Sequence, residues 1–386
     1  MSSGLLHRAS PFLLAGLAIM ALTTATAGAA EPTVSELPDA THARSLATAR
    51  DGTVWFVPTR GPEAEDRRGP IVGALAADGT VTAHEVAGFG VVNGLTLGPM
   101  DEVWVSGADE NAAGETYLEI GRLSASGELA QLFTVGRAQG GWGLLRQPTV
   151  ADGAAWFVRD GPRLRDTIER LSIADGTVRR FVTRPRCNVA ALATGTAGAL
   201  WFTERCSAYR EGSEGWTPGT SSIVRISPGG KIARYLLHDS RDIPISLAIE
   251  PTETVWFGVT HRKPSGYSVT KIGRLTKNGG LAEFPAPDAL PFSIAVGPER
   301  RLWFQSSFGG WDYRALNSIG PKGRIAKPIC ASPSCQLEPT GLTAAPDHSL
   351  LYGLSRPNLN TGGGGSGLLI GIEIANEAGF IAHLVP

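Results

Sequence analysis

Asp51-Gly52-Thr53-Val54-Trp55-Phe56 reads as a tight turn running into a β-strand, and it does not stand alone. Trp-Phe or a close equivalent returns at Trp104-Val105, Trp156-Phe157, Trp201-Phe202, Trp256-Phe257, Trp303-Phe304 and Leu351-Tyr352. The intervals are 49, 52, 45, 55, 47 and 48 residues, and six of the nine tryptophans occupy this one position. A short apolar stretch and a turn precede each copy, as in Ser45-Leu46-Ala47-Thr48 before Asp51-Gly52, or Ser293-Ile294-Ala295-Val296 before Gly297-Pro298. Further on comes a second pair of apolar stretches around a glycine turn. Ile120-Gly121-Arg122-Leu123 followed by Gly127 and Leu129 is one example, and Ile272-Gly273-Arg274-Leu275 followed by Gly280 and Leu281 another. Turn glycines at 79, 127, 176, 230, 280, 323 and 379 keep step with the tryptophans.

Each unit therefore predicts four short strands, with tight turns between the first two and the last two and a longer connection in the middle. One such unit cannot bury its own faces. Units arranged radially bury one another, and the spacing predicts an all-β, seven-bladed β-propeller of four-stranded blades. The tryptophan of each second strand is expected to wedge between neighbouring blades. Two segments qualify as the outer strand that completes the last blade: Glu31-Pro32-Thr33-Val34-Ser35-Glu36-Leu37-Pro38, and Gly379-Phe380-Ile381-Ala382-His383-Leu384. The pattern leaves both open.

Composition narrows the function. The 386 residues include 49 Gly and 26 Pro, yet 42% are hydrophobic, enough for a core, so a wholly disordered chain is excluded. Lys and Arg number 35 against 36 Asp and Glu, for a net charge of −1. With no basic stripe, nucleic acid is not expected as a partner.

Residues 1–29 read as a cleavable export signal. Arg8 supplies the positive region, Pro11 to Leu22 the apolar run, and Ala27-Gly28-Ala29 the small-residue cleavage pattern. The apolar run is shorter than the ~20 residues that a membrane span needs. The expected mature chain is residues 30–386, a monomer without a membrane span, in the periplasm or outside the cell. Its four cysteines form two close pairs, Cys187/Cys206 and Cys330/Cys335, and an oxidising compartment makes two disulfides the natural reading.

Asp51-Gly52-Thr53-Val54-Trp55-Phe56, Leu200-Trp201-Phe202-Thr203-Glu204 and Lys271-Ile272-Gly273-Arg274-Leu275 resemble the blades of the virginiamycin B lyase (streptogramin B lyase) family. The resemblance spans the expected mature chain. It implies a carbon–oxygen lyase chemistry, the ring-opening elimination of a cyclic depsipeptide antibiotic. In that chemistry a His removes the proton α to a carbonyl, and a Mg2+ held by two Glu residues polarises the carbonyl. The segment matching the family's Glu-Pro-His-Gly setting is Glu338-Pro339-Thr340-Gly341, with Thr340 at the His position. The second Glu position falls near Leu354 or Ser355. The equivalent first-strand site in other units is Arg44, Asn93, Ala190, Ile245 and Phe292, with the third unit ambiguous near Leu145.

The connections between second and third strands are expected at roughly 58–70, 106–118, 159–167, 204–221, 260–270, 305–317 and 355–368. Three of them mix aromatic and charged side chains suited to stacking and charge-assisted hydrogen bonds. The candidate ligand-binding residues are Glu204, Arg205, Trp216, His261, Arg262, Tyr267, Trp311, Tyr313, Arg314 and Glu338. Glu204 is also a candidate metal ligand or acid/base group, with pairing to Arg205 or Arg210 as the alternative. The expected function is a scaffold that binds a small molecule, glycan or peptide on these loops, without a required cofactor. The alternative is a metal-dependent lyase or hydrolase with a rearranged site, for which Mg2+ is the expected ion.

Overall fold

A computed structural model of the chain describes residues 40–60, 71–76, 80–138, 145–161, 166–195, 198–209, 216–263, 265, 268–286, 289–297, 300–308, 313–327, 329–330, 338–344, 350–355, 369–374 and 381–385. They lie within the compact unit Glu31–Pro386. The chain forms an all-β propeller.

Its strands order into separate antiparallel sheets, each made from consecutive chain, over residues 40–85, 91–137, 149–182, 187–236, 242–285, 289–330 and 338–385. These are called blades one to seven here, with strands A to D running from first to last within each blade. Blade four adds a short strand, Trp216–Pro218, on its strand B. The A strands pack against one another in order, and that of the seventh (Glu338–Ala344) returns to that of the first (Ala40–Thr48). They therefore surround a central channel. Of the two candidates for the last outer strand, the C-terminal one takes the place: Ile381–Val385 pairs with Leu369–Ile374. Residues 31–38 lie outside the described residues. No described helix is long and apolar enough to cross a membrane.

The repeated motif now has a physical explanation. The second-strand Trp packs against the following blade: Trp104 clusters with Ala155 and Phe157, Trp156 with Leu200 and Phe202, Trp201 with Val255 and Phe257, and Trp256 with Leu302 and Phe304. The Arg of Ile-Gly-Arg-Leu is its cross-strand partner. Arg274 sits 5.7 Å from the Trp256 ring and Arg122 6.0 Å from Trp104, where the cation faces the π-cloud. The Gly of the same motif makes room for the other half of Trp-Phe. Gly273 pairs with Phe257, and a Cβ there would lie 2.1 Å from the Phe257 ring. One turn glycine differs from expectation: Gly279, not Gly280, takes the positive φ of its turn.

A second difference matters more for function. The B–C hairpins run further than the expected loops allowed, because ladder pairing continues past the aromatic core. Val255–Arg262 pairs with Ser268–Leu275 along its whole length, and Leu302–Phe308 does the same with Tyr313–Ile319. His261, Arg262, Tyr313 and Arg314 are thus strand residues, as are Glu204 and Arg205 in Leu200–Tyr209.

Candidate functional site

Six of the A strands carry a register shift at the same level of the channel. It falls between Ala43 and Leu46, Val92 and Gly94, Val189 and Leu192, Pro244 and Ser246, Leu290 and Ile294, and Thr340 and Leu342. In blade three, Leu145 bridges Arg159 while Thr149 pairs with Trp156, which leaves residues 146–148 as the equivalent irregularity. A bulge bends the strand and re-aims its side chains. Arg44, Asn93, Ala190, Ile245 and Phe292, the positions counted back from each Trp in the sequence, all fall inside these bulges. The ambiguity near Leu145 resolves to Arg146 and its two successors.

The bulges are held by side chains from neighbouring strands. Thr203 Oγ1 accepts from the N–H groups of Ala190 (3.1 Å) and Ala191 (3.0 Å). Ser106 Oγ donates to the Arg146 carbonyl at 3.0 Å, tying blade two to blade three. Ser293 Oγ accepts from Leu342 N–H at 2.7 Å, and the Ser246 hydroxyl donates to the Pro291 carbonyl. Around this layer lies a cavity of about 370 Å³, whose lining includes Arg146, Gln147, Ala190, Ile245, Phe292 and Leu342. Its volume is that of a small-molecule site. Phe292 is 69% exposed, an unusual state for a large apolar ring.

Charged groups sit above the bulges, near the ends of the B strands. Glu204 is fully buried and held by ion pairs to Arg184 (2.6 Å) and Arg234 (3.2 Å). It also accepts from Arg184 N–H and Ser222 Oγ, both at 2.9 Å. Burial alone would raise its pKa, but these donors outweigh burial and hold it below the usual carboxylate range. The expected partner, Arg205, bonds Asn188 Oδ1 instead, at 3.0 Å.

In blade five, His261 Nδ1 is 2.7 Å from Asp242 Oδ1, and Asp242 is fully buried. Lys271 Nζ reaches both oxygens of Asp242 at 3.0 Å and Glu283 at 2.9 Å. Burial acts to lower the Lys271 pKa, and the bonds to Glu283 and Asp242 more than reverse that. Arg262 follows His261 at the end of the strand, its N–H donating to the Arg241 carbonyl.

The structure thus places Arg205 in the second strand of blade four and His261 and Arg262 at the end of the second strand of blade five. Trp216, Tyr313, Arg314 and Glu338 lie in strands, while Tyr267 and Trp311 lie outside the described residues. Cys187 and Cys206 are cross-strand partners joined as a disulfide. Cys330 lies in a strand and Cys335 outside the described residues. Among the described residues, one group of side chains has metal-ligand proximity, Cys187, Glu204 and Cys206. Two of its three donors are the disulfide sulfurs and the third is committed to arginines, so it is not a metal site.

Arg146, Asn188 and Asp242 were missed in the sequence. Arg146 sits in the one unit where the first strand has no regular apolar run. Asn188 and Asp242 become visible once strands A and B are set in register, because they face Arg205 and His261 directly.

Residues 32–360 match the family model described as the virginiamycin B lyase family. The chain belongs to that family. A catalytically inactive His-to-Ala variant of the virginiamycin B lyase from Staphylococcus aureus, solved with quinupristin, is 22% identical. The match covers 84% of this chain and 97% of that one, with a TM-score of 0.58. The β-propeller domain of the Trilobed protease from Pyrococcus furiosus, described as having an open velcro topology, matches at 9% identity and a TM-score of 0.58, over 89% and 98% of the two chains. YCF48 bound to D1 peptide matches at 11% identity and a TM-score of 0.54, over 90% and 96%. These likenesses show the propeller fold. No curated protein matches the chain.

Proposed function

We propose that this member of the virginiamycin B lyase family is a seven-bladed, ligand-binding propeller, exported by its N-terminal segment, whose ligand sits in the channel against the bulged layer. The observation that carries this reading is the coincidence of the bulges with the cavity. An irregular layer is placed where a ligand can reach it, and exposed Phe292 offers the apolar contact. Two proteins of similar fold were solved with ligands, one with quinupristin and one with a peptide, which supports a ligand-binding reading.

Several features favour binding over elimination. Thr340 stands where the family resemblance calls for His, and an unaided hydroxyl is a poor base near neutral pH. Ser355 is the cross-strand partner of Glu338, where a second carboxylate would be needed. One carboxylate and one hydroxyl do not fit a Mg2+ site. Glu204, the carboxylate at the equivalent strand end in blade four, is already neutralised.

One observation favours a second reading, a lyase or hydrolase with a rearranged site: His261 has a carboxylate on Nδ1, which would leave Nε2 to accept a proton. Incubation of the mature protein with a type B streptogramin and Mg2+, followed by chromatography and mass spectrometry, separates the two. The binding reading expects unaltered antibiotic beside a working lyase control. A shifted peak of unchanged mass, lost in H261Q, would establish elimination instead.

A further inference from the structure

The outer strand of blade three, Val178–Val182, ends its sheet, and no described strand pairs with its far side. Its register sets which backbone groups face out. Ser172 N–H donates to the Thr177 carbonyl, so by alternation Arg179 and Phe181 bond inward to strand C. Val178, Arg180 and Val182 therefore turn their N–H and C=O groups outward. The Phe181 ring packs into the core shared with blade four, while Val178 is 40% and Val182 71% exposed. Two aliphatic side chains thus stand in solvent beside an open row of backbone donors and acceptors, a template for a further strand. Charge selects which strand can join it. Residues 173–186 hold four arginines, Arg179, Arg180, Arg184 and Arg186, against one acid, Asp175, in a chain of net charge −1. Glu169 pairs with both Arg159 (2.7 Å) and Arg180 (3.0 Å), and Glu204 with both Arg184 and Arg234, so each carboxylate leaves one positive charge over. Arg179 lies over the Phe181 ring at 4.8 Å and reaches Gly230, in the blade-four turn that leads to Lys231. Arg179, Arg186 and Lys231 are exposed and have no ion-pair partner among the described residues. No other described outer strand carries more than one Lys or Arg.

We propose that this edge binds an extended acidic segment of a partner protein, which adds as a further strand to blade three. Backbone hydrogen bonds to Val178, Arg180 and Val182 would hold the segment in register. Its carboxylates would meet the surplus arginine charge, and its apolar side chains would cover the two exposed valines. A second copy of this chain is disfavoured, because edge-to-edge pairing would set arginine against arginine. A polyphosphate or sulfated glycan would meet the charge but leave the valines and the backbone row uncovered, whereas an acidic, apolar peptide satisfies all three. The strand is the outermost of its blade, so the proposal does not rest on the reading of the channel.

The test is fluorescence anisotropy at low ionic strength, with the purified chain and a short end-blocked peptide of alternating Glu and Val. Its controls are the same peptide N-methylated at alternate residues, and one of alternating Lys and Val. The acidic peptide is expected to bind about tenfold more tightly than either. Arg179→Gln combined with Arg186→Gln should weaken it about tenfold, and Lys277→Gln, on a turn of blade five, should not. Val182→Pro supplies a second route, since it removes an outward N–H and no inward one, and it should abolish the preference over the N-methylated peptide. Equal binding of the N-methylated peptide to the unaltered chain would overturn strand addition. Undiminished binding in both the double arginine variant and Val182→Pro would overturn the location. Binding of polyphosphate without binding of the acidic peptide would make the patch a polyanion surface and overturn the proposal, as would no binding at all.

Discussion

Arg184 meets Glu204 twice, its backbone N–H at 2.9 Å from one carboxylate oxygen and its Nε at 2.6 Å from the other. Arg184 follows the outer strand of blade three, and Glu204 lies in the second strand of blade four, so the pair fastens one blade to the next. Breaking one side of a buried ion pair leaves uncompensated charge. Glu204→Gln is expected to cost about 3 kcal/mol in denaturant unfolding.

The same pair sets a pH dependence. Glu204 is held below its ordinary range, so the folded chain binds this proton less readily than the unfolded chain. Its contribution is complete above the ordinary Glu value of about 4.3 and is lost as pH falls toward the folded value. Lys271 behaves in the opposite sense. Its raised pKa gives a contribution that is complete below about 10.4 and lost at higher pH. Melting temperature against pH should show a plateau between these limits, and Glu204→Gln should flatten the acid limb alone.

Gly273→Ala probes the space under the aromatic motif. The new Cβ would lie 2.1 Å from the Phe257 ring, which is fully buried, and a loss of about 1–3 kcal/mol is expected. Adding Phe257→Leu should recover part of that loss. An unchanged midpoint for Gly273→Ala would mean that the ring is not held there.

Phe292→Ala separates binding from stability. The ring is 69% exposed, so its removal should change unfolding by no more than about 0.5 kcal/mol. Ligand binding in the channel should weaken about tenfold, for the loss of one aromatic contact. A large drop in stability with unchanged binding would contradict the channel reading.

The disulfide predicts a cross-linked peptide joining Cys187 and Cys206 in a non-reducing digest. C187A/C206A should lower stability by about 3 kcal/mol, as expected for a bridge closing a loop of this length. Reductant should produce the same shift in the unaltered protein and none in the variant.

The sequence revealed most of what depends on repetition. Trp256, Arg274 and Gly273 recur because every blade must solve the same packing problem, so the spacing alone disclosed the blade unit. The site residues follow another logic. His261 and Arg205 were legible as side chains near a strand end, but their partners Asp242 and Asn188 lie on a different strand and become neighbours only through register. Loop lengths were overestimated because hairpin pairing beyond Trp256 or Trp303 rests on backbone hydrogen bonds, which impose little on residue type. Arg146 escaped for a similar reason: a bulge has no hydrophobic period to reveal it.

Blade seven closes on its own last strand, Ile381–Val385, and every other blade is likewise a single run of chain. Among the described residues, no sheet borrows a strand from a distant part of the sequence. The junction between the last and first blades is then of the same kind as the junctions between the others, which no strand shared between blades crosses among the described residues. Circular permutants opened between any two blades, with the old ends joined by a flexible linker, should fold to the same ring. For the gene, a duplication or deletion of a segment coding for one unit would add or remove a whole blade without leaving a strand unpaired.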